Sequence, residues 1–143
     1  MKKVIITGGN SGIGYQAAKQ LAEKDWSVTL FCRRKAAAEQ ACEKIRQQTG
    51  NPHVDYILVD LSEMKSVKEA VEQYIQKEDV LDVLINNAAD FDLSVKKPIL
   101  TKDGLEKQFA TNVVAPFLLS FLLKGLLEKS ESGRIINISS QGL

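Results

Sequence analysis

Short β-branched runs alternate with longer helix-spaced segments along the whole chain, and this alternation restricts the fold more than any other feature. The runs lie at about 2–7, 26–32, 53–59, 81–86 and 133–139, and apolar residues recur at helical spacing over about 12–24, 35–48, 63–77 and 104–130. Strand, helix, strand, repeated four times, implies right-handed crossovers between parallel strands. Val4-Ile5-Ile6, Val83-Leu84-Ile85 and Ile135-Ile136 are apolar without alternation, as strands covered on both faces are. The expected fold is α/β: a doubly wound, Rossmann-like parallel sheet of about five strands with helices on both faces, one domain over 1–143. Gly50-Asn51-Pro52 reads as the stop before the third strand, and Ser62 to Lys65 as the capping region that starts the third helix.

The bulk properties exclude several classes of partner. Nineteen basic residues against 18 acidic ones leave a formal charge of +1, so no polyanion-binding surface and no nucleic-acid partner is expected. Cys32 and Cys42 are too few for a disulfide framework and read as free thiols in a reducing compartment, which makes a cytoplasmic location the expectation. The apolar run after the two opening lysines stops at Ile6, too soon for the core of a signal peptide. Val113 to Leu127 is shorter than a membrane span requires and carries Pro116, Ser120 and Lys124, so no membrane association is expected. His53 stands apart from other ligating residues, and no metal site is expected.

In a doubly wound sheet, ligands bind beyond the carboxyl ends of the strands, where the strand order reverses. The first strand runs into Thr7-Gly8-Gly9-Asn10-Ser11-Gly12-Ile13-Gly14 and then a helix. Gly8, Gly12 and Gly14 let the backbone turn and approach a phosphate closely, and the helix N-terminus offers unpaired N–H groups to a pyrophosphate. Gly12-Ile-Gly14-Tyr-Gln-Ala17 also fits the dinucleotide fingerprint literally, but it starts several residues after the strand. The second strand ends in Arg33-Arg34, about 20 residues past the glycines, where an NAD site carries an acid for the ribose. Guanidinium groups at that point suit a 2′-phosphate, which favours NADP(H). The competing explanation is that both arginines merely solvate a helix start. The remaining strands end in Asp60-Leu61, Asn86-Asn87-Ala88-Ala89 and Ser139-Ser140, so polar or small residues gather on one edge of the sheet.

Taken together, Thr7-Gly8-x-x-x-Gly12-x-Gly14, Asp60-Leu61, Asn87-Ala88-Ala89, Asn112 and Gly133-Arg-Ile-Ile-Asn-Ile-Ser-Ser140 resemble the short-chain dehydrogenase/reductase family in order and spacing over the whole chain. Ala89 departs from it by standing where glycine is more usual. The resemblance implies an oxidoreductase that moves a hydride between nicotinamide and a carbonyl or alcohol. It further implies that Gly8 to Gly14, with Asn10, Ser11 and Ile13, hold the pyrophosphate and that Asp60 and Leu61 meet the adenine. Asn87, Ala88 and Ala89 would line the nicotinamide side, Ser140 would hydrogen-bond the substrate oxygen, and Asn112 would anchor a water in the proton relay. The Phe31-Cys32-Arg33-Arg34 stretch resembles retinol-dehydrogenase-like members and so implies a lipophilic alcohol or ketone.

Pro116, four residues after Asn112, has no N–H for the Asn112 carbonyl. The freed carbonyl is expected to be the water's acceptor, in a helix kinked at that point. The family's catalytic tyrosine and the lysine four residues after it follow the serine on the next helix. Tyr15, Tyr56 and Tyr74 all precede it, and none is expected to take the role. The expectation is that these 143 residues lack the pair and are inactive alone, with further strands and helices following. Two rivals share the fold: a catalytically silent NADP(H)-binding module, and a methyltransferase, whose cofactor wants an acid where Arg33 stands. The segment 104–130 is apolar around much of its circumference, which fits either a helix buried on all sides or one that meets a second copy of the chain.

Overall fold

A computed structural model describes residues 1–141. Five parallel strands form one sheet: β1 (Lys3–Thr7), β2 (Ser27–Cys32), β3 (Val54–Leu58), β4 (Val83–Asn86) and β5 (Arg134–Asn137), in the order β3-β2-β1-β4-β5. The connecting helices are α1 (Gly12–Glu23), α2 (Lys35–Thr49), α3 (Met64–Lys77) and α4 (Lys107–Glu128). The doubly wound sheet expected from the sequence is therefore present, with each expected element within a few residues of its place.

β1 is covered on both faces, which explains its unbroken apolar run. Ile5 points into one core with Phe31, Ile57, Leu84 and the inner faces of α3 and α4, while Val4 and Ile6 point into the other with α1 and α2. Helix faces follow from their spacing: Val67, Ala70, Val71 and Tyr74 on α3, and Ala38, Ala41, Cys42 and Ile45 on α2, are all buried at i, i+3, i+4, i+7. The strand order reverses between β2 and β4, which flank β1 on opposite sides in register. That reversal opens a crevice above the ends of β1 and β4.

Two local expectations change. Ser62 does not cap α3. Its hydroxyl donates to Asp60 Oδ1 at 2.6 Å, and the Met64 N–H is instead met by Asp103 Oδ2 at 3.0 Å, from a distant loop. The length argument against a membrane span also fails, because α4 runs unbroken for 22 residues and is long and apolar enough to qualify. In the fold, one face of it (Ala115, Leu119, Leu123, Leu126, Leu127) is buried in the core. Its other face carries Phe117 at 73% and Phe121 at 68% exposure, so it is not buried on all sides among the described residues.

Buried Asn51 ties the bottom of the sheet to α1. Its amide donates to the carbonyls of Ala22 (3.0 Å) and Trp26 (2.9 Å), and its oxygen accepts from the His53 N–H (2.8 Å). Removing that amide leaves the Trp26 carbonyl and the His53 N–H to find new partners, while the Ala22 carbonyl keeps the Asp25 N–H at 3.1 Å. Asn51→Ala is expected to lower the unfolding free energy by about 2–3 kcal/mol in urea titration, and a loss within experimental error would contradict this bracing role.

Candidate functional site

The crevice is built on the contact between the ends of β1 and β4. The hydroxyl of Thr7, itself buried, accepts from the backbone N–H groups of both Asn87 and Ala88 at 2.9 Å. The Asn87 amide reaches back and donates to the carbonyls of Thr7 (3.1 Å) and Gly8 (3.4 Å). A β-carbon on Gly14 would sit 2.5 Å from Asn87 Nδ2 and 2.6 Å from the Gly8 carbonyl oxygen, so only glycine lets α1 start this close to the strand ends. Asn87, expected to line the nicotinamide side, thus spends its amide on bracing the loop.

Above this brace lies a cleft of about 500 Å³. Gly8, Asn10 and Ser11 line it from the first loop, Arg33 and Arg34 from the end of β2, Asp60 and Leu61 from the end of β3, and Ala88 and Ala89 from the end of β4. These nine of the residues expected from the sequence are brought together. Gly12 and Ile13 open instead on a neighbouring groove of about 840 Å³ between α1 and α2, which Asn10 and Ser11 also border. That groove is the larger of the two, but its walls are α1 and α2, and no residue from the ends of β2, β3 or β4 lines it. Ser140 is exposed beyond the end of β5 and does not border the cleft. The sequence reading missed Phe31, Val59, Ser62, Asp90, Asp92, Lys107 and Thr111 as lining residues, and Thr7 as the brace. Thr7 was visible as part of the glycine motif; the cleft-facing Lys107 and Thr111 carry no motif at all.

The end of the cleft at the starts of α1 and α2 favours an anion, while Asp60, Asp90 and Asp92 line the cleft as well. Ser11, at the start of α1, and Arg34, at the start of α2, make no side-chain capping bond, and neither helix has an acid in its first turn. Both helices therefore keep unpaired N–H groups and positive dipole ends where they meet the cleft. Among the described residues no carboxylate pairs with Arg33 or Arg34. Asp60 holds its own turn, its Oδ1 accepting from the N–H (3.0 Å) and hydroxyl of Ser62.

Asn112 sits in a five-residue π-helical stretch of α4, Ala110–Val114, where the Ala115 N–H bonds the carbonyl of Ala110, five residues back. The helix is therefore irregular at the point where a kink was expected, by a π-turn. In either helical register the next donor would be Pro116, which has no N–H for the carbonyl of Thr111 or of Asn112. The Asn112 side chain is engaged elsewhere: Oδ1 accepts from the Asp90 N–H (2.8 Å) and Nδ2 donates to the Asp90 carbonyl (2.7 Å). This two-point clamp fixes the backbone that leads out of Ala88-Ala89.

One of the tyrosines that precede the serine, Tyr15, does have a lysine four residues on, Lys19. The structure gives them no role at the cleft. The Tyr15 hydroxyl donates to Gln48 Oε1 (3.3 Å), its ring lies under Lys44, and Lys19 pairs with Glu23 along α1.

Parallel strands in this order, with a glycine turn at the switch point and two open helix ends above it, define a Rossmann-like dinucleotide fold. The model of the short chain dehydrogenase family matches residues 2–142, and the chain belongs to that family. It is 44% identical over 139 residues to Dehydrogenase/reductase SDR family member 12 of Bos taurus, covering 97% of this chain and 43% of that protein. It is 42% identical over 140 residues to Retinol dehydrogenase 13 of Mus musculus, covering 97% and 41%. The chain thus spans about two fifths of the length of these relatives. Among solved structures, a short-chain dehydrogenase from Sphingobium yanoikuyae in complex with NADPH superposes with a TM-score of 0.78 at 26% identity, over 99% of this chain and 54% of that one. A metagenomic short-chain oxidoreductase in complex with NADP, at 24% identity and a TM-score of 0.82 over 96% and 61%, shares the fold.

Both cysteines are buried, and burial raises their thiols from 9.0 to about 11 for Cys32, on the cleft wall, and about 12 for Cys42. Each raised value means stability that is intact below pH 9 and lost as pH climbs through 11 and 12, since the unfolded thiol gives up its proton first. A thiol reagent at mildly alkaline pH is expected to spare both residues in the native protein and to label both in urea. The melting temperature is expected to fall above pH 9 by less in a Cys32→Ala, Cys42→Ala double variant. Rapid labelling of the native protein would contradict the assignment.

Proposed function

We propose that the complete protein is an NADP(H)-dependent oxidoreductase acting on a carbonyl or alcohol. The observation that carries this reading is the meeting, over one cleft, of two uncapped helix N-termini with two arginines that have no carboxylate partner among the described residues. The names of the relatives, dehydrogenase/reductase and retinol dehydrogenase, and the NADPH in the Sphingobium neighbour support it. The cleft residues fit such a cofactor. The N–H groups at the start of α1, with Asn10 and Ser11, would hold the pyrophosphate, and Arg33 and Arg34 would hold the 2′-phosphate. Asp60 and Leu61 would meet the adenine, and Ala88 and Ala89 would leave room for the flat nicotinamide.

When bound, the nicotinamide supplies or accepts the hydride; the protein's task is to hold it and orient the substrate. Ser140 takes the substrate oxygen in this reading. The Asn112 carbonyl holds a relay water, while the Asn112 amide keeps the loop at Asp90 in place. The kinship with retinol dehydrogenases points to an apolar alcohol or ketone as substrate. The buried free thiols support a reducing, cytoplasmic setting. The outward face of α4, with Phe117 and Phe121, supports contact with a second copy of the chain. A silent binding module would share all these features of the cleft, and it is separated from an enzyme by measuring NADPH oxidation beside NADPH binding.

Two outcomes follow. Arg33→Ala in the full-length protein is expected to weaken NADPH binding by roughly 10- to 100-fold while leaving NADH binding nearly unchanged, because a charge-assisted contact to the 2′-phosphate is lost. Equal effects on both cofactors, read by fluorescence titration, would refute the 2′-phosphate role. Phe117→Asp combined with Phe121→Asp is expected to shift the protein from a dimer or higher species to a monomer in light scattering. An unchanged mass would refute the contact.

A further inference from the structure

The charges that line the cleft are sorted along the sheet. Arg33 and Arg34 enter it from the end of β2, and Asp60 from the end of β3, the outermost strand on that side. Asp90 and Asp92 enter it from the loop after β4, just past Ala88 and Ala89, and Lys107 from the first turn of α4. β1 lies between β2 and β4, so the ends of those two strands stand two strand spacings, about 10 Å, apart. Phosphates account for the arginines. They do not account for the acids at the β4 end.

At that end two carboxylates face one ammonium. Lys107 Nζ lies 3.9 Å from Asp90 Oδ2, a loose pair that offsets one acid. Asp92 has no cation in ion-pair contact among the described residues. Its Oδ1 accepts from the hydroxyl (2.6 Å) and N–H (2.9 Å) of Ser94. Those two bonds, and after them the more distant charge of Lys107, hold its carboxyl below the usual carboxylate range, so it is ionised at neutral pH. The positive end of α4 adds no free field, because the Glu106 carboxylate accepts from the N–H groups of Gln108 and Phe109. This wall therefore carries one net negative charge. It is also held in place: Asn112 clamps Asp90, and Gln108 Nε2 donates to the Asp92 carbonyl at 3.4 Å.

We propose, on the reading of the cleft as an NADP(H) site with its nicotinamide at Ala88 and Ala89, that Asp92 biases the cleft toward the oxidised cofactor. Oxidised nicotinamide carries a positive charge on its ring and reduced nicotinamide carries none, while the rest of the dinucleotide is the same in both. Only a charge near the ring can tell the two apart, and the acidic wall lies at that end. Arg33, Arg34 and the helix N-termini act on phosphates that both forms share. Stabilising the charged ring favours the product side of carbonyl reduction, where the hydride has moved to the carbonyl carbon and a proton to its oxygen.

The test is calorimetric titration of the full-length protein, without substrate, with oxidised NADP and with NADPH at low ionic strength. The readout is the ratio of the two dissociation constants, in which every contact common to both forms cancels. Asp92→Asn keeps an Oδ1 for Ser94 and removes only the charge. It is expected to shift the ratio against oxidised NADP by roughly two- to fivefold, as one charge about 8 Å from the ring would in surroundings close to water. Lys107→Gln removes the offsetting cation and is expected to shift the ratio the other way by a similar factor. Both shifts should shrink in about 0.5 M salt. An unchanged ratio in Asp92→Asn, or shifts of the same sign in the two variants, would overturn the role of Asp92 while leaving the NADP(H) site standing. A folded wild-type protein that bound neither form would overturn both.

Discussion

Four hydrogen bonds between the ends of β1 and β4 set the position of everything else at the cleft. Two neighbouring N–H groups converge on the buried Thr7 hydroxyl, and the Asn87 amide returns two bonds to the carbonyls of Thr7 and Gly8. Strands that part at a switch point leave their last carbonyls and N–H groups without ladder partners, and buried groups of that kind are costly. Thr7 and Asn87 supply those partners. They thereby fix where the glycine turn leaves β1 and where Ala88-Ala89 leaves β4. Gly14 completes the brace, since any β-carbon there would meet the Asn87 amide.

The charge of the cleft follows from what is omitted around this brace. Surface helices commonly carry a capping side chain and an acid in the first turn. α1 and α2 have neither, and both begin at the cleft. Arg33 and Arg34, which have no carboxylate partner among the described residues, add to the same positive field. A site of this kind is stable when an anion fills it and stays receptive when none does. Across the cleft, the Asn112 clamp and the π-turn hold the rim at Asp90, so that both walls are fixed by backbone contacts.

Much of the fold was legible because period and burial agree. β1 reads as unbroken apolar residues since cores lie on both of its faces, and α2 and α3 bury the faces their spacing marks. The glycine turn and Arg33-Arg34 were legible for the same reason: backbone approach and charge are properties of residue type. Where a side chain turns is not. Asn87 and Asn112 carry amides that could serve a ligand or the chain, and the structure commits them to neighbouring backbone. Ser62 could cap α3 or close a turn on Asp60, and does the latter. The Tyr15–Lys19 spacing falls on a helix face turned toward α2, so spacing without placement carries no chemistry. Lys107 and Thr111 reach the cleft only through the tertiary approach of α4, which no local pattern announces.

The central claim is that the cleft above the Thr7–Asn87 brace is where a phosphorylated dinucleotide binds. Hydrogen–deuterium exchange of the full-length protein, with and without NADP, tests its location most directly. The account predicts slowed exchange in the first turns of α1 and α2 and at Ala88 to Asp90, with little change elsewhere on the sheet. Unchanged exchange in those three segments at saturating NADP, or protection confined to other parts of the surface, would contradict it.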